Sequence, residues 1–175
     1  MNSTTHPVSA PRSQSLGARL LRSTRPVRAG WAGGLYDVLI TGGFATPWTA
    51  AFILGLLATA QETAGLPGDP MPSFDVSHLL FVTLFGVVVT MWGVVRVLRP
   101  TALLTAVDTV GRAVFSLYFL WALLQGHSTV IVAFLALELI WLVIQAMGIR
   151  KALRLDREED ASAKGVGSPN IPVGV

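Results

Sequence analysis

The sequence predicts an all-α polytopic membrane protein, a bundle of four transmembrane helices. Three observations carry that prediction. Of 175 residues, 52% are apolar and only 13% charged, with a mean hydropathy of +0.60. The charged side chains gather mostly at the ends and in the connections. Between them lie apolar runs at about residues 35–60, 76–98, 101–125 and 129–150, each long enough to cross a hydrocarbon core of about 30 Å. The chain then divides into a basic arm (1–30), expected to be disordered and cytoplasmic, a membrane domain (31–152) and a disordered cytoplasmic tail (153–175).

The arm is rich in Ser, Thr, Pro and Arg, and only Leu16 to Leu21 reads as a short helix lying on the membrane surface. Arg12, Arg19, Arg22, Arg25 and Arg28 precede the first acid, Asp37. The apolar run that follows is too long for a secretory signal; an Arg-rich, acid-poor transit peptide is the alternative to a cytoplasm-facing arm. Trp31 and Tyr36 mark an interface, where amphipathic rings collect.

The first span carries Asp37 near its start, then Thr41, Gly42-Gly43 and Thr46-Pro47. Proline lacks a backbone donor and clashes with the preceding turn, so a kink is expected there, its freed carbonyls satisfied by neighbours or by Thr hydroxyls. Residues 61–75 form a Pro- and Gly-punctuated loop holding Glu62, Asp69 and Asp75 and no base; Ser73 or Asp75 is placed to cap the second span. That span is Leu, Val, Phe and Gly, with Gly86 and Thr90 as a close-packing pair and Trp92 and Arg96 near its far end. Pro100 opens the third span.

Orientation follows from the bases. The arm, the Arg96 to Arg99 turn and the Arg150 to Arg157 segment are basic, whereas the 61–75 loop and the Gly126-His127-Ser128 turn carry neither Lys nor Arg. Every connection agrees with both termini inside, in a multi-pass protein of the cell inner (plasma) membrane. The net charge of +3 does not signal nucleic acid, because the arginines flank apolar spans. With no cysteine, disulfides, thiolate metal sites and thiol redox relays are excluded. There is no glycine-rich phosphate loop, G-x-S-x-G elbow or H-E-x-x-H. His78 and His127 fall at one end without a third ligand, so no metal or other cofactor is expected. Neither is an internal repeat evident, which disfavours an inverted-repeat transporter.

The third and fourth spans form an antiparallel hairpin that holds the polar chemistry. Asp108 and Arg112 stack four apart on one helical face, with Thr101 and Thr105 on one side and Phe115 and Phe119 on the other. Glu138, Trp141 and Gln145 share a face of the last span. Counting from the turn at about 1.5 Å per residue puts Arg112 and Glu138 near mid-bilayer and Asp108 about one turn nearer the other surface, level with Gln145. Ionised groups at that depth cost on the order of 2.5–3.5 kcal/mol each, so they need a shared explanation. One is mutual neutralisation, Arg112 pairing with Asp108 along its helix and with Glu138 across the hairpin, which sets helix register. The other is a site. Two carboxylates beside one guanidinium leave one acid in excess, and Asp37 makes a second, able to exchange a proton in a low-dielectric cavity. Trp141, Gln145, Phe115, Phe119 and Trp48 would then line the pocket of a lipophilic small molecule.

The functions this supports are isomerisation, cyclisation or hydration of such a molecule, with Glu138 or Asp108 as acid or base, Arg112 holding the partner charge and Asp37 supporting them. The alternatives are an accessory or assembly subunit and a proton-linked carrier acting as an oligomer, so the expected partners are the lipid bilayer, a lipophilic ligand, and a second copy or another membrane protein. The Arg96 to Pro100 turn leading into Asp108-x-x-Gly111-Arg112, with Glu138 in the last span, resembles the small four-helix membrane proteins grouped as DoxX-like. The resemblance covers about Leu35 to Arg150 and implies the fold more than an activity. A related set of four-helix membrane folds, similar in outline, includes sterol isomerases and sigma-receptor-like ligand binders, which place buried acids in a lipophilic cavity. This chain departs in its kinked first span and in lacking an alignable second acid pair.

Overall fold

The computed structural model describes residues 15–166, and the expectations for residues 1–14 and 167–175 lie outside them. Six α-helices make up the described chain: α1 (Leu16–Arg22), α2 (Arg28–Thr41), α3 (Pro47–Ala64), α4 (Val76–Leu98), α5 (Ala102–Leu124) and α6 (Val132–Val166). They are those of an all-α membrane protein. Three stretches, α4, α5 and Thr129–Ala163, are long and apolar enough to cross a bilayer, and a fourth crossing arises if the broken pair α2 and α3 counts as one.

That pair corrects the first expected span. The region 35–60 is not one kinked helix: α2 begins at Arg28, ends at Thr41, passes through a 3-10 turn at Gly42–Phe44 and restarts at Pro47 with a bend of 95°. The cause is local. Pro47 occupies a first-turn position that needs no amide donor, Thr46 is extended as the residue before proline must be, and its hydroxyl accepts the Thr49 amide at 3.3 Å. The Thr41 hydroxyl donates to the Asp37 carbonyl at 2.5 Å, satisfying an acceptor in the last turn of α2. The break rests on α4, where a side chain in place of Gly86 would collide with the Phe44 and Ala45 backbone.

Helix α2 packs along α4 and α5 along α6. A Cβ on Gly34 would stand 2.9 Å from the Gly93 carbonyl oxygen, and one on Gly93 2.9 Å from that of Gly34. A Cβ on Gly33 would stand 2.6 Å from Gln145 Nε2. Small residues thus bring α2 onto α4 and α6 closely enough for buried polar side chains to meet.

At one end the 65–75 loop folds onto the α5–α6 turn. The Asp69 amide donates to Gly126 O at 2.8 Å, Thr129 donates to Pro67 O through its amide at 3.0 Å and its hydroxyl at 2.9 Å, and buried Gln61 holds Asp69 O and the Met71 amide. Gly68, at φ 107°, lies so close to the His127 backbone that no side chain fits. Asp75 caps α4, and the His78 amide it accepts holds its carboxyl below the usual range.

At the other end both expected tails are partly ordered. Residues 16–22 form α1, as the sequence suggests, but Arg28–Gly30 already belong to α2, and residues 153–166, expected to be disordered, continue α6. The extension is held from its side: Arg25 pairs with Asp156 Oδ1 at 2.9 Å and with Glu159, and Arg19 donates to Leu153 O at 3.3 Å. Val27, Ala102 and Ala152 pack beneath these contacts, and the Val27 amide donates to Pro100 O at 2.6 Å.

Candidate functional site: a buried charge network

Four helices bring five charged side chains together. Asp37 comes from α2, Arg96 from α4, Asp108 and Arg112 from α5 and Glu138 from α6. Arg112 uses every edge of its guanidinium. Nε binds Asp108 Oδ2 at 3.0 Å, Nη1 binds Glu138 Oε2 at 3.0 Å, and Nη2 binds Asp37 at 2.8 and 2.9 Å. A planar fork can serve three carboxylates at once, which a lysine ammonium cannot do in fixed directions.

Arg96 is the second hub. Its Nη1 lies 2.5 Å from Asp108 Oδ2, its Nη2 pairs with Asp37, and its side chain has no exposed surface. Asp108 also accepts Trp92 Nε1 at 2.9 Å and Gln145 Nε2 at 2.7 Å, so both its oxygens are occupied. Thr109 extends the chain with a hydroxyl 3.1 Å from Gln145 Oε1. The rings of Tyr36 and Trp141 stand 5.9 and 5.7 Å from the Arg112 guanidinium carbon and 5.3 Å from each other. A guanidinium over two π faces is stabilised where water is excluded.

Three carboxylates against two guanidiniums leave a formal charge of −1 when all are ionised. The groups are unequally enclosed: the Asp37 and Asp108 side chains are 9% and 8% exposed, that of Glu138 17%. Glu138 donates nothing and accepts only at Oε2; its Oε1 has no hydrogen bond among the described residues. The network therefore has one open oxygen and one surplus negative charge, both available to a proton or to a cationic or hydrogen-bond-donating group.

Of the residues singled out in the sequence, Asp108, Arg112, Glu138, Trp141 and Gln145 meet here, and Asp37 joins them from a helix distant in the chain. The pairing of Arg112 with Asp108 and Glu138 and the level of Asp108 with Gln145 are as the helical spacing implies. Phe115 and Phe119 do not wall the network; they pack on Phe85 at 6.1 Å and on Phe134 at 6.2 Å. Trp48, on the far side of the break, is 80% exposed. Arg96, in the basic turn that the sequence places at an interface, is instead fully buried, while Tyr36 is half-buried and packs on Trp141. A signal for Arg96 was present: Gly86, Gly93 and Arg96 lie on one face of α4 at helical spacing, and a small-residue face is a buried one. With Arg96 inside, only Arg99 of that turn still bears on orientation.

Among the described residues, cavities of about 570 and 250 Å³ open at opposite ends of the helices, and neither of these is lined by a member of the network. Comparison with protein-family models, curated proteins and solved structures finds no match for this chain.

Proposed function

We propose that the protein is a four-helix bundle of DoxX-like type, spanning the inner membrane with both termini in the cytoplasm. Its network binds or converts a lipophilic small molecule by acid–base chemistry. The observation that carries this reading is the open oxygen of Glu138 in a network with one carboxylate in excess. Glu138 is the group that gives or takes the proton. Arg112 holds it from behind and keeps its pose through the exchange, while Asp37, Asp108 and Arg96 fix Arg112. Tyr36 and Trp141 supply the apolar faces beside it, and the ligand enters from the bilayer between helices, which suits a lipophilic compound.

The experiment is untargeted mass spectrometry of small molecules that copurify with wild type, Glu138→Gln and Asp108→Asn. A defined lipophilic compound, lost or chemically altered in Glu138→Gln while that variant stays folded, supports the reading. Bulk lipid alone in every sample sinks it.

A second reading, a non-enzymatic accessory or assembly subunit, is favoured by one observation: almost every donor and acceptor of the network is already used internally, as in a device that sets helix register. Under that reading Glu138→Gln changes no bound molecule, and partner proteins are lost together with stability in Arg112 variants.

A further inference from the structure

The larger cavity lies at the basic end of the helices, between the α1–α2 connection and the extension of α6. It has a volume of about 570 Å³, within the roughly 300–1,000 Å³ of sites that hold small ligands. Arg19, Arg22, Ser23 and Thr24 line one side; Leu153, Asp156, Arg157, Glu159 and Asp160 line the other. Charges of both signs are present, but they are not equally committed. Asp156 and Glu159 are taken by Arg25. Arg19, Arg22 and Arg157 make no ion pair among the described residues, which leaves three guanidiniums facing the cleft against one uncommitted acid, Asp160.

Two further atoms in the same cleft lack partners. Ser23 is only 7% exposed, and its Oγ makes no hydrogen bond among the described residues; neither does Asp156 Oδ2, a buried acceptor. Buried polar atoms are nearly always satisfied, so their clustering beside guanidiniums that have no ion pair, of which Arg19 alone donates to a carbonyl, marks a place that a ligand completes. The ligand needs an anionic oxygen group for the arginines and a donor for Asp156. The cleft also lies beside exposed apolar side chains. It sits where α6 leaves its apolar stretch, and the adjoining α1 exposes Leu16 at 62% and Leu21 at 71%.

We propose that this cleft binds a membrane phospholipid through its phosphodiester headgroup, in particular one carrying a hydroxyl or ammonium donor beyond the phosphate. The guanidiniums and the Ser23 hydroxyl hold the phosphate oxygens, Asp156 Oδ2 accepts from the headgroup donor, and Leu16 and Leu21 lie among the acyl chains. The lipid then bridges the arm before α2 to the extension of α6.

Native mass spectrometry of the full chain in detergent micelles tests this, with phosphatidylglycerol, phosphatidylcholine or inorganic phosphate added. Arg22 and Arg157 are exposed and make no hydrogen bond among the described residues, so R22Q/R157Q leaves the fold intact. The expected result is preferential retention of phosphatidylglycerol by wild type and a loss of about fivefold per guanidinium removed in the double variant. R154Q, which removes an exposed charge outside the cleft, retains wild-type binding. The proposal is overturned if the double variant binds like wild type, if R154Q weakens binding as much, or if inorganic phosphate occupies the cleft as readily as the lipid. Ser23→Ala supplies an uncharged check, lowering lipid retention without altering net charge.

Discussion

Arg112 and Arg25 each bind more than one carboxylate, yet the two clusters do different work. Arg112 is 3% exposed and serves Asp37, Asp108 and Glu138, which are 9%, 8% and 17% exposed; the Arg25 side chain is 32% exposed and its partner Glu159 69%. In water an ion pair gains little, because solvent already satisfies both charges and salt screens them. Inside the helices the charges have no alternative partner, so losing one member strands the others. The same contact is therefore a fastening at the surface and a condition of folding in the interior. The pairing of Arg25 raises its already high pKa further, chiefly through Glu159, so it stays charged throughout the accessible pH range.

The largest effect expected is from Arg112→Leu. It leaves buried Asp37 and Asp108 with Arg96 alone and takes from Glu138 its ion-pair partner, and should cost about 3–5 kcal/mol in unfolding measured in micelles. A loss as small as that of a surface pair would erase the distinction between the two clusters. Next comes Gly34→Val, which places bulk against Gly93 and the Arg96 side chain and should cost about 1–3 kcal/mol while separating α2 from α4. The reading is checked by crosslinking between the two helices, which should fall in the variant. Glu138→Gln is expected to change stability by about 1 kcal/mol or less, since the lost charged hydrogen bond is offset by removal of the surplus negative charge. If it unfolds the protein as Arg112→Leu does, Glu138 belongs to the structural core and not to a proton-exchanging site. Smallest is Arg25→Gln, which should speed amide hydrogen exchange in residues 155–163 and leave the network unchanged. Raising salt from 0.15 M to 1 M, where the Debye length falls from about 8 Å to about 3 Å, should mimic that variant in wild type and have no effect on the buried pairs.

Much of the network was legible because helical spacing is a local property. Asp108 and Arg112 are four residues apart on one helix, and a three-residue turn sets the level of Glu138 and Gln145 opposite them. Arg96 and Asp37 were harder. Both sit near the ends of apolar runs, where a charge ordinarily reaches water, and only the rotation of α2 and α4 about their axes turns them inward. The clue lay in the glycines, since a helix face made of Gly86 and Gly93 cannot be the one facing lipid if α2 is to pack against it.

The end of α6 was missed for a related reason. Arg154, Glu158, Glu159 and Asp160 read as a solvated charge run, and a helix of that composition is marginal alone. It persists because Arg25, more than a hundred positions earlier, holds two of its acids, and because Arg154 and Glu158 pair at 2.9 Å along its own surface.

By itself the sequence determined the all-α membrane class, the apolar stretches of the last three spans and the register of the Asp108, Arg112, Glu138 and Gln145 set. Those follow from composition and from a period of 3.6 residues, which neighbours in the chain impose on one another. Only the tertiary structure decided that the first span breaks into two helices at 95°, that Arg96 belongs to the interior and Tyr36 packs on Trp141 beside it, and that the segment before α2 is tied to the extension of α6. Those depend on which face of one helix meets which face of another. That choice is made by packing between segments far apart in sequence, where no local periodicity reaches.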